Sequence, residues 1–558
     1  MTADSATILG SSAGATDWWR SAVVYQVYLR SFCDSNNDGI GDLGGLRAKL
    51  SYLTALGIDA IWVNPWYRSP MADAGYDVAD YREIDPTYGS LAEAEELIAA
   101  AHERGIRVIA DIVPNHVSDQ HPWFIAALAG DEDYRGRFVI REGRGPDGAE
   151  PPNDWLSNFG GPAWTRLPDG QWYLHLFAPA QPDLDWHNEA VRAEFENILR
   201  FWFDRGLDGF RIDVAHALTK HPALPDAGPR VAGSQHTSAH PAYDQESVHD
   251  VYRQWRTIAD SYSPPKVFVA EAWVPDNARL ARYLRPDELH TAFQFDFLRC
   301  PWRADKLRGI IDDAIGQADV VGAPATWVLS NHDVVRVATR YSRSQPAHLV
   351  ESDWERARWT TEIPDESLGR QRARAAALLQ LALPGTAYIY QGDELGLPEY
   401  EQLPHEYRQD PVWVQSGKTD VGRDGCRIPL PFVGSEPPYG FSGSATTVTW
   451  LPQPVGWGPL SVSAQLDDPD STLVLYQAAL RLRHELLGGD EPMTWIRSDG
   501  SVLAFSRGEI QCWVNTGAEQ VDLPPGTQVV LSSRPVSSGH RLGPDTTVWL
   551  RSGGSSWV

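Results

Sequence analysis

The 558-residue chain carries 74 acidic against 48 basic residues, a net charge of −26, and 42% of its residues are hydrophobic. An acidic surface of this size repels phosphate backbones and anionic lipid, so neither nucleic acid nor membrane is expected as a partner, and a neutral substrate is the simplest fit. The length exceeds one compact core and calls for two or three domains.

Residues 1–16 are small and polar and read as a loose arm. They lack a basic stretch followed by an apolar one, and no apolar run reaches the ~18 residues of a membrane span, so a cytoplasmic location is expected. Cys33, Cys300, Cys426 and Cys512 stand far apart with no CxxC pair, which argues for isolated thiols rather than zinc.

From there, strand-like and helix-like segments alternate. VVYQVYL at 23–29 and AIWVNP at 60–65 are β-branched and aromatic, and LGGLRAKLSYLTALG at 43–57 between them has helical spacing and stops at glycine. The helix LAEAEELIAAAHERG at 91–105 leads to a third strand, RVIADIV at 107–113. The pattern resumes with a helix near 190–206, GFRID at 209–213, a helix near 246–261 and VFVAEAW at 267–273. FQFD at 293–296, TWVLS at 326–330 and AYIYQ at 387–391 complete eight strands, which predicts a (β/α)₈ TIM barrel. The turn-rich stretch from about His116 to His187 is too long for a plain loop and is expected to be an inserted subdomain after strand three, walling the barrel mouth. A second, charged insertion is expected at about 341–369. After a helix ending near Leu487 the period changes to two, as in SVLAFS, EIQCWVN and TTVWLRS, the mark of a C-terminal antiparallel β domain. The predicted division is barrel at 1–115, inserted subdomain at 116–187, barrel again at 188–487 and β domain at 488–558.

Six strings place polar residues at strand ends: DIVPNH at 111–116, QPDLDW at 181–186, GFRID, FVAEAW at 268–273, LSNHD at 329–333 and GDELG at 392–396. A parallel barrel presents such residues at the carboxyl ends of its strands. Asp213 and Glu271 end neighbouring strands, so their carboxylates can face each other across roughly 5–5.5 Å, the gap of a retaining glycosidase pair. Asp333 comes from the far side of the ring. Arg211, two residues before Asp213, shares its face and is expected to favour the ionised form. Glu271, between Ala270 and Ala272, is expected to sit in an apolar setting that keeps it protonated. His116 and His332 suit hydrogen bonding to sugar hydroxyls. Phe177 either lines the acceptor side or belongs to the core. The 23 Trp residues are compatible with sugar stacking but equally with core filling.

These strings resemble the conserved regions of the α-amylase superfamily of glycoside hydrolases, over nearly the whole chain. Within it, QPDLDW is similar to the QPDLN-like mark of the α-glucosidase and oligo-1,6-glucosidase branch, from which Asp185 departs. The resemblance implies Asp213 as nucleophile, Glu271 as general acid/base and Asp333 as transition-state stabiliser, with Arg211, His116 and His332 binding the sugar at the cleavage subsite. DAGYD at 73–77 resembles the family element in which Tyr76 stacks under the sugar, and RDGCR at 423–427 the element that pairs Arg427 with Asp73. That pair would close the cleft into a pocket and imply exo action. Val214 after the nucleophile is similar to α-1,6-cleaving members, whereas AHALTK at 215–220 departs from them, and short α-1,4 substrates are the expectation.

DSNNDGIGD at 34–42 starts like an EF-hand loop but has Gly45 where that loop requires its bidentate Glu. It resembles instead the family's metal loop after strand one. That implies a structural Ca²⁺ or Mg²⁺ on Asp34, Asn36, Asp38, the Ile40 carbonyl and Asp42, and no organic cofactor. The leading expectation is a retaining α-glucosidase acting on a small oligosaccharide or aryl α-glucoside. The alternatives are a glucosyltransferase, trehalose synthase or sucrose-active relative using the same intermediate, or a catalytically dead barrel that only binds.

Overall fold

Eight short β-branched runs pair side by side as one parallel sheet. In the computed structural model, which describes residues 17–228, 240–345, 362–488, 491–536 and 540–552, they are β1 (Val23–Val27), β2 (Ala60–Val63), β3 (Arg107–Ile112), β4 (Gly209–Ile212), β5 (Val267–Ala270), β6 (Thr291–Ala292), β7 (Thr326–Val328) and β8 (Thr386–Tyr390). The sheet order is β6-β5-β4-β3-β2-β1-β8-β7. The Gln294 amide donates to the Thr326 carbonyl at 3.0 Å and draws the two outer strands together into a nearly closed barrel. The expected arm and residues 346–361 of the second insertion lie outside the described residues.

Strand periodicity divides the side chains between two environments. Val23, Tyr25 and Val27 point to the surrounding helices and join the large core cluster. Val24, Ala60, Trp62, Ile109, Val267, Val269, Val328 and Tyr388 point inward and fill the barrel. Continuing the series of Val24, Trp62, Ile109, Val269 and Val328 by two residues gives Gln26, Asn64, Asp111, Glu271 and Ser330, and on β4 Arg211 follows Gly209. The barrel interior is therefore oily at its base and polar at the carboxyl ends.

The helices follow local chemistry. Leu91–His102 opens with a full capping box between Ser90 and Glu93 and buries Ala94, Leu97, Ile98 and Ala101 along one stripe. Glu189–Phe203 is capped by Asn188 and buries Val191, Phe195, Ile198, Leu199 and Trp202. Two expectations need correction. The segment 43–57 is not one helix: it breaks at Lys49 into Leu43–Ala48 and Leu50–Leu56, ending at Gly57 in the left-handed conformation as expected. FQFD is not the sixth strand. That strand is only Thr291–Ala292, and Phe295–Arg299 is a helix whose Phe295 and Leu298, three apart, pack on the barrel core.

Between β3 and β4 lie the helices Pro122–Leu128 and Glu132–Arg135 and a small antiparallel sheet of Ile140–Arg141, Trp172–Leu174 and Trp164–Arg166. Its last stretch folds back on the end of β3, with Leu184 N–H on the Asn115 carbonyl at 3.0 Å. At the C-terminus, β9 (Thr494–Asp499), β10 (Val502–Arg507), β11 (Ile510–Asn515), β12 (Thr527–Ser532) and β13 (Thr546–Ser552) form an antiparallel sheet in the order β9-β10-β11-β13-β12. It is tied to the barrel helix Glu366–Ala382 by the Trp549 indole on the Leu378 carbonyl and by Arg372 on Asp545, both at 3.1 Å. All four cysteines are buried and free, and no helix among the described residues is long and apolar enough to cross a membrane.

Candidate active site

The register of β3, β4 and β5 sets Asp111 beside Arg211 and Arg211 beside Val269. One step further, Glu271 N–H bonds to the Ile212 carbonyl at 3.0 Å, which brings Glu271 level with Asp213. Arg211, 1% exposed, then serves three carboxylates at once. Its Nη1 lies 2.7 Å from both Asp111 and Asp213, and its Nη2 lies 2.5 Å from Glu271. Asp213 and Glu271 thus occupy adjoining nitrogens of one guanidinium.

Val214, directly after Asp213, has φ +45°, a left-handed conformation costly for a β-branched residue and typical of strained functional turns. The turn aims the Val214 N–H at Glu271 Oε2, 3.1 Å away, while the Trp273 indole N–H donates to Oε1 at 3.1 Å. The apolar setting expected from Ala270 and Ala272 is therefore not what the carboxylate meets. Those neighbours point to the opposite face of the strand, and three N–H donors surround Glu271 instead.

Asp213 also departs from expectation. Burial drives its pKa well above the ordinary value, Arg211 pulls it back, and the Glu271 and Asp111 charges push it up again, so the net direction is up. Asp111 is likewise raised, to about 6, by burial that Arg211, Tyr76 and Trp62 only partly offset. One cation cannot neutralise three buried acids.

Asp333 shows the reverse balance. Burial works to raise it, but His332, Arg423, Arg427 and Arg211 outweigh burial and hold it below the usual carboxylate range. Arg423 Nη1 and Arg427 Nη2 reach its Oδ1 at 2.9 and 3.0 Å. Burial lowers His332 well below its ordinary pKa and His116 to about 4, so both rings are neutral at pH 7. His332 Nδ1 accepts from the Gln26 amide at 2.7 Å, which leaves the proton on Nε2, 3.3 Å from Asp333. His116 Nδ1 accepts from Asn115, and its Nε2 faces the Tyr76 carbonyl, both at 3.1 Å.

Tyr76 stands between these groups. Its hydroxyl donates to Asp111 at 2.9 Å and accepts from Asn64 at 2.7 Å, and its ring stacks on His332 at 5.4 Å with 7° between planes. Phe177 is half-buried, with its ring 5.1 Å from His116 and 5.4 Å from Phe159. Asp73 is buried, and its ion-pair partner is Arg423 at 2.8 Å rather than the expected Arg427. The two arginines flank one short turn of RDGCR, and Arg427 is taken instead by Asp333 and the His332 carbonyl. Arg423 also holds Asp410 at 2.7 Å and lies 5.3 Å from the Phe159 ring, so this one side chain joins the segments that carry Asp73, Phe159 and Asp410. Asp185, the departure from the family string, stays outside the site, where it pairs with Arg141 at 3.3 Å. Asp183 within the same string is buried and bound to Lys220 at 2.8 Å.

Sequence reasoning singled out Asp73, Tyr76, His116, Phe177, Arg211, Asp213, Glu271, His332, Asp333 and Arg427, and it gave no role to Asp111, Arg423, Asp410, Trp273 or Lys220, nor to the supporting partners Gln26, Asn64, Asn115 and Phe159. Asp111 was findable, since it lies two residues past Ile109 on an inward series. Arg423 was ambiguous because RDGCR offers two arginines.

The loop at 34–42 could hold a hard cation by the kind of its donors, three carboxylates, an amide oxygen and a carbonyl. It is already closed by hydrogen bonds. Asp34 accepts from the N–H groups of Asn36, Asn37 and Gly39, Asp38 from Ile40, and Asp42 from Ser35 and Gly45, the last as a helix cap. Gly39, at φ +91°, is irreplaceable there, since a Cβ would lie 2.1 Å from the Val448 carbonyl. Among the described residues no three acidic, imidazole or thiol groups converge into a preformed metal cage.

Comparison with known proteins agrees with this geometry. The alpha-amylase catalytic-domain family model matches residues 26–488. The chain is 38% identical over 516 residues to a "Probable alpha-glucosidase" of Rhizobium meliloti, covering 88% of this chain and 87% of that protein. It is 33% identical over 503 residues to an oligo-1,6-glucosidase of Parageobacillus thermoglucosidasius, 84% of each. Among solved structures it is similar to an alpha-glucosyl transfer enzyme, with TM-score 0.83 and 34% identity over 96% of this chain and 99% of that one. It is also similar to the trehalulose synthase of Pseudomonas mesoacidophila MX-45, with TM-score 0.81 and 31% identity over 96% and 99%.

Proposed function

The chain belongs to the alpha-amylase family and is a glycoside hydrolase, and from that premise we propose that it is a retaining, exo-acting α-glucosidase that releases glucose from the non-reducing end of short α-glucosides. The observation that carries this reading is the sharing of Arg211 by Asp213 and Glu271 at the barrel mouth.

In this reading the Asp213 carboxylate attacks the anomeric carbon while Glu271 gives its proton to the departing glycosidic oxygen, leaving a glucosyl ester on Asp213. Glu271 then takes a proton from water, which displaces Asp213 from the same carbon; two inversions give retention. Asp333, held ionised by Arg423 and Arg427, stabilises the positive charge that develops on the ring. Neutral His332 offers its Nε2–H to a sugar hydroxyl, His116 contributes to the sugar site with its N–H held by the Tyr76 carbonyl, and Tyr76 supplies a ring for stacking. The Asp73–Arg423 bridge supports a blind pocket that admits only a chain end. The similarity to glucosyl-transferring proteins favours a second reading, in which a sugar replaces water in the second step.

We further propose that the loop at 34–42 binds Ca²⁺ or Mg²⁺ through Asp34, Asn36, Asp38, the Ile40 carbonyl and Asp42. When bound, the ion cross-links the loop and supplies no chemistry to the reaction.

Three outcomes follow. Nuclear magnetic resonance of maltose turnover should detect α-glucose first and glucose as the sole product. Longer or rearranged sugars would favour the transferase reading, and β-glucose appearing first would refute retention. Because Asp213 must be ionised to attack and its pKa is raised, activity should be lost as pH falls through a value above the ordinary Asp value of about 3.9. The acidic limb of kcat/KM reads this directly in the free enzyme, and an inflection at or below that value would contradict the shift. Finally, treatment with EDTA should lower Tm by roughly a few degrees, as expected for loss of a ligand that binds only the folded state. Superimposable melting curves would count against a bound ion.

A further inference from the structure

Of the three donors on Glu271, two belong to the segment that carries Asp213: Arg211 lies two residues before it and Val214 one after. The third, Trp273, comes from the end of Glu271's own strand. A sugar bound between the carboxylates has to separate Glu271 from the first two donors, whereas the Trp273 contact can persist.

The indole is also held independently. Its ring stacks on Phe295 with centroids 3.8 Å apart and 4° between planes, and the Arg299 guanidinium lies 5.0 Å from its centroid. Phe295 and Arg299 are the first and last residues of the short helix after β6, one turn apart and therefore on one face. The helix that replaces the expected sixth strand thus grips Trp273. An indole N–H donates and cannot accept, so the bond to Glu271 Oε1 has a single sense in either protonation state of the carboxyl.

We propose that Trp273 is a positioning residue that keeps Glu271 directed at the leaving-group oxygen through both chemical steps. Without the indole N–H, Glu271 is left with the donors of the Asp213 segment and folds back onto Arg211, away from the leaving group. The inference rests on the reading of Glu271 as general acid/base.

Leaving-group dependence tests it. Phenyl α-glucoside needs a proton for departure, whereas α-glucosyl fluoride releases fluoride with the bonding electron pair and little acid assistance. Trp273→Phe, which keeps a ring but removes the donor, should lower kcat/KM on the phenyl glucoside by about 10- to 100-fold, the effect of losing a hydrogen bond to a charged group. On the fluoride the loss should stay within about 3-fold. Phe295→Leu, which releases the ring but leaves the N–H, should give a smaller loss with the same selectivity. An equal loss on both substrates, or none on either, would overturn the proposal. Turnover of the fluoride also reports that each variant has a folded site. Glu271→Gln run in parallel separates the two claims. It should lose at least ~10²-fold on the phenyl glucoside and far less on the fluoride. Absence of that contrast refutes the acid assignment itself, while its presence with an unselective Trp273→Phe refutes only the role of Trp273.

Discussion

Arg211 is the charge on which the site depends. Three carboxylates surround it, and in a buried cluster one cation against three anions leaves a net charge that the interior does not tolerate. The cluster answers by holding protons more tightly, as the upward shifts of Asp111 and Asp213 show. A few ångströms away, two arginines serve Asp333 and Asp410, and there both acids fall below the ordinary carboxylate range although burial opposes it. The site is thus split into a proton-rich half and a permanently ionised half. In the proposed mechanism the second half supplies a fixed negative charge beside the developing cation, whereas Asp213 in the first half must give up its proton before it can attack.

The split follows from where each arginine sits in the fold. Arg211 lies within the barrel on β4, flanked by strands whose inward series end in Asp111 and Glu271. Arg423 and Arg427 reach in from a loop well past β8 and meet Asp333 at the outer rim, where that side chain keeps 27% of its surface exposed. Asp73, paired with Arg423 alone of these arginines and close to Asp410, is raised to about 6, so Arg423 is shared among more acids than it can neutralise. The same strand geometry that packs the barrel base with Trp62, Val267 and Val269 delivers the polar series two residues later, and core and site are parts of one pattern.

Much of this was legible in the sequence. Alternation of β-branched runs with helical stretches gave the barrel, and polar residues at the carboxyl ends of the strand strings gave Arg211, Asp213 and Glu271. What stayed hidden depends on tertiary context. A two-residue strand such as Thr291–Ala292 has no periodicity to detect, so the aromatic FQFD drew the assignment although Phe295 and Leu298 are spaced for a helix. Arg423 and Arg427 stand on the same turn, and only the loop path decides which meets Asp73. The pKa of Asp213 could not be read from its neighbour Arg211, because burial and the sharing of that arginine with two other acids are properties of the folded cluster. The donors around Glu271 were masked by the alanines beside it, which face the other side of the strand.

The claim beneath the rest is that Asp213 and Glu271 act on one anomeric carbon, with Asp213 forming the bond. The most direct test is to trap the intermediate with 5-fluoro-α-glucosyl fluoride, whose ester hydrolyses slowly, and to map the labelled peptide by mass spectrometry. The account predicts a single fluoroglucosyl group on Asp213, and a label on Glu271, on Asp333 or on no carboxylate at all during turnover would contradict it.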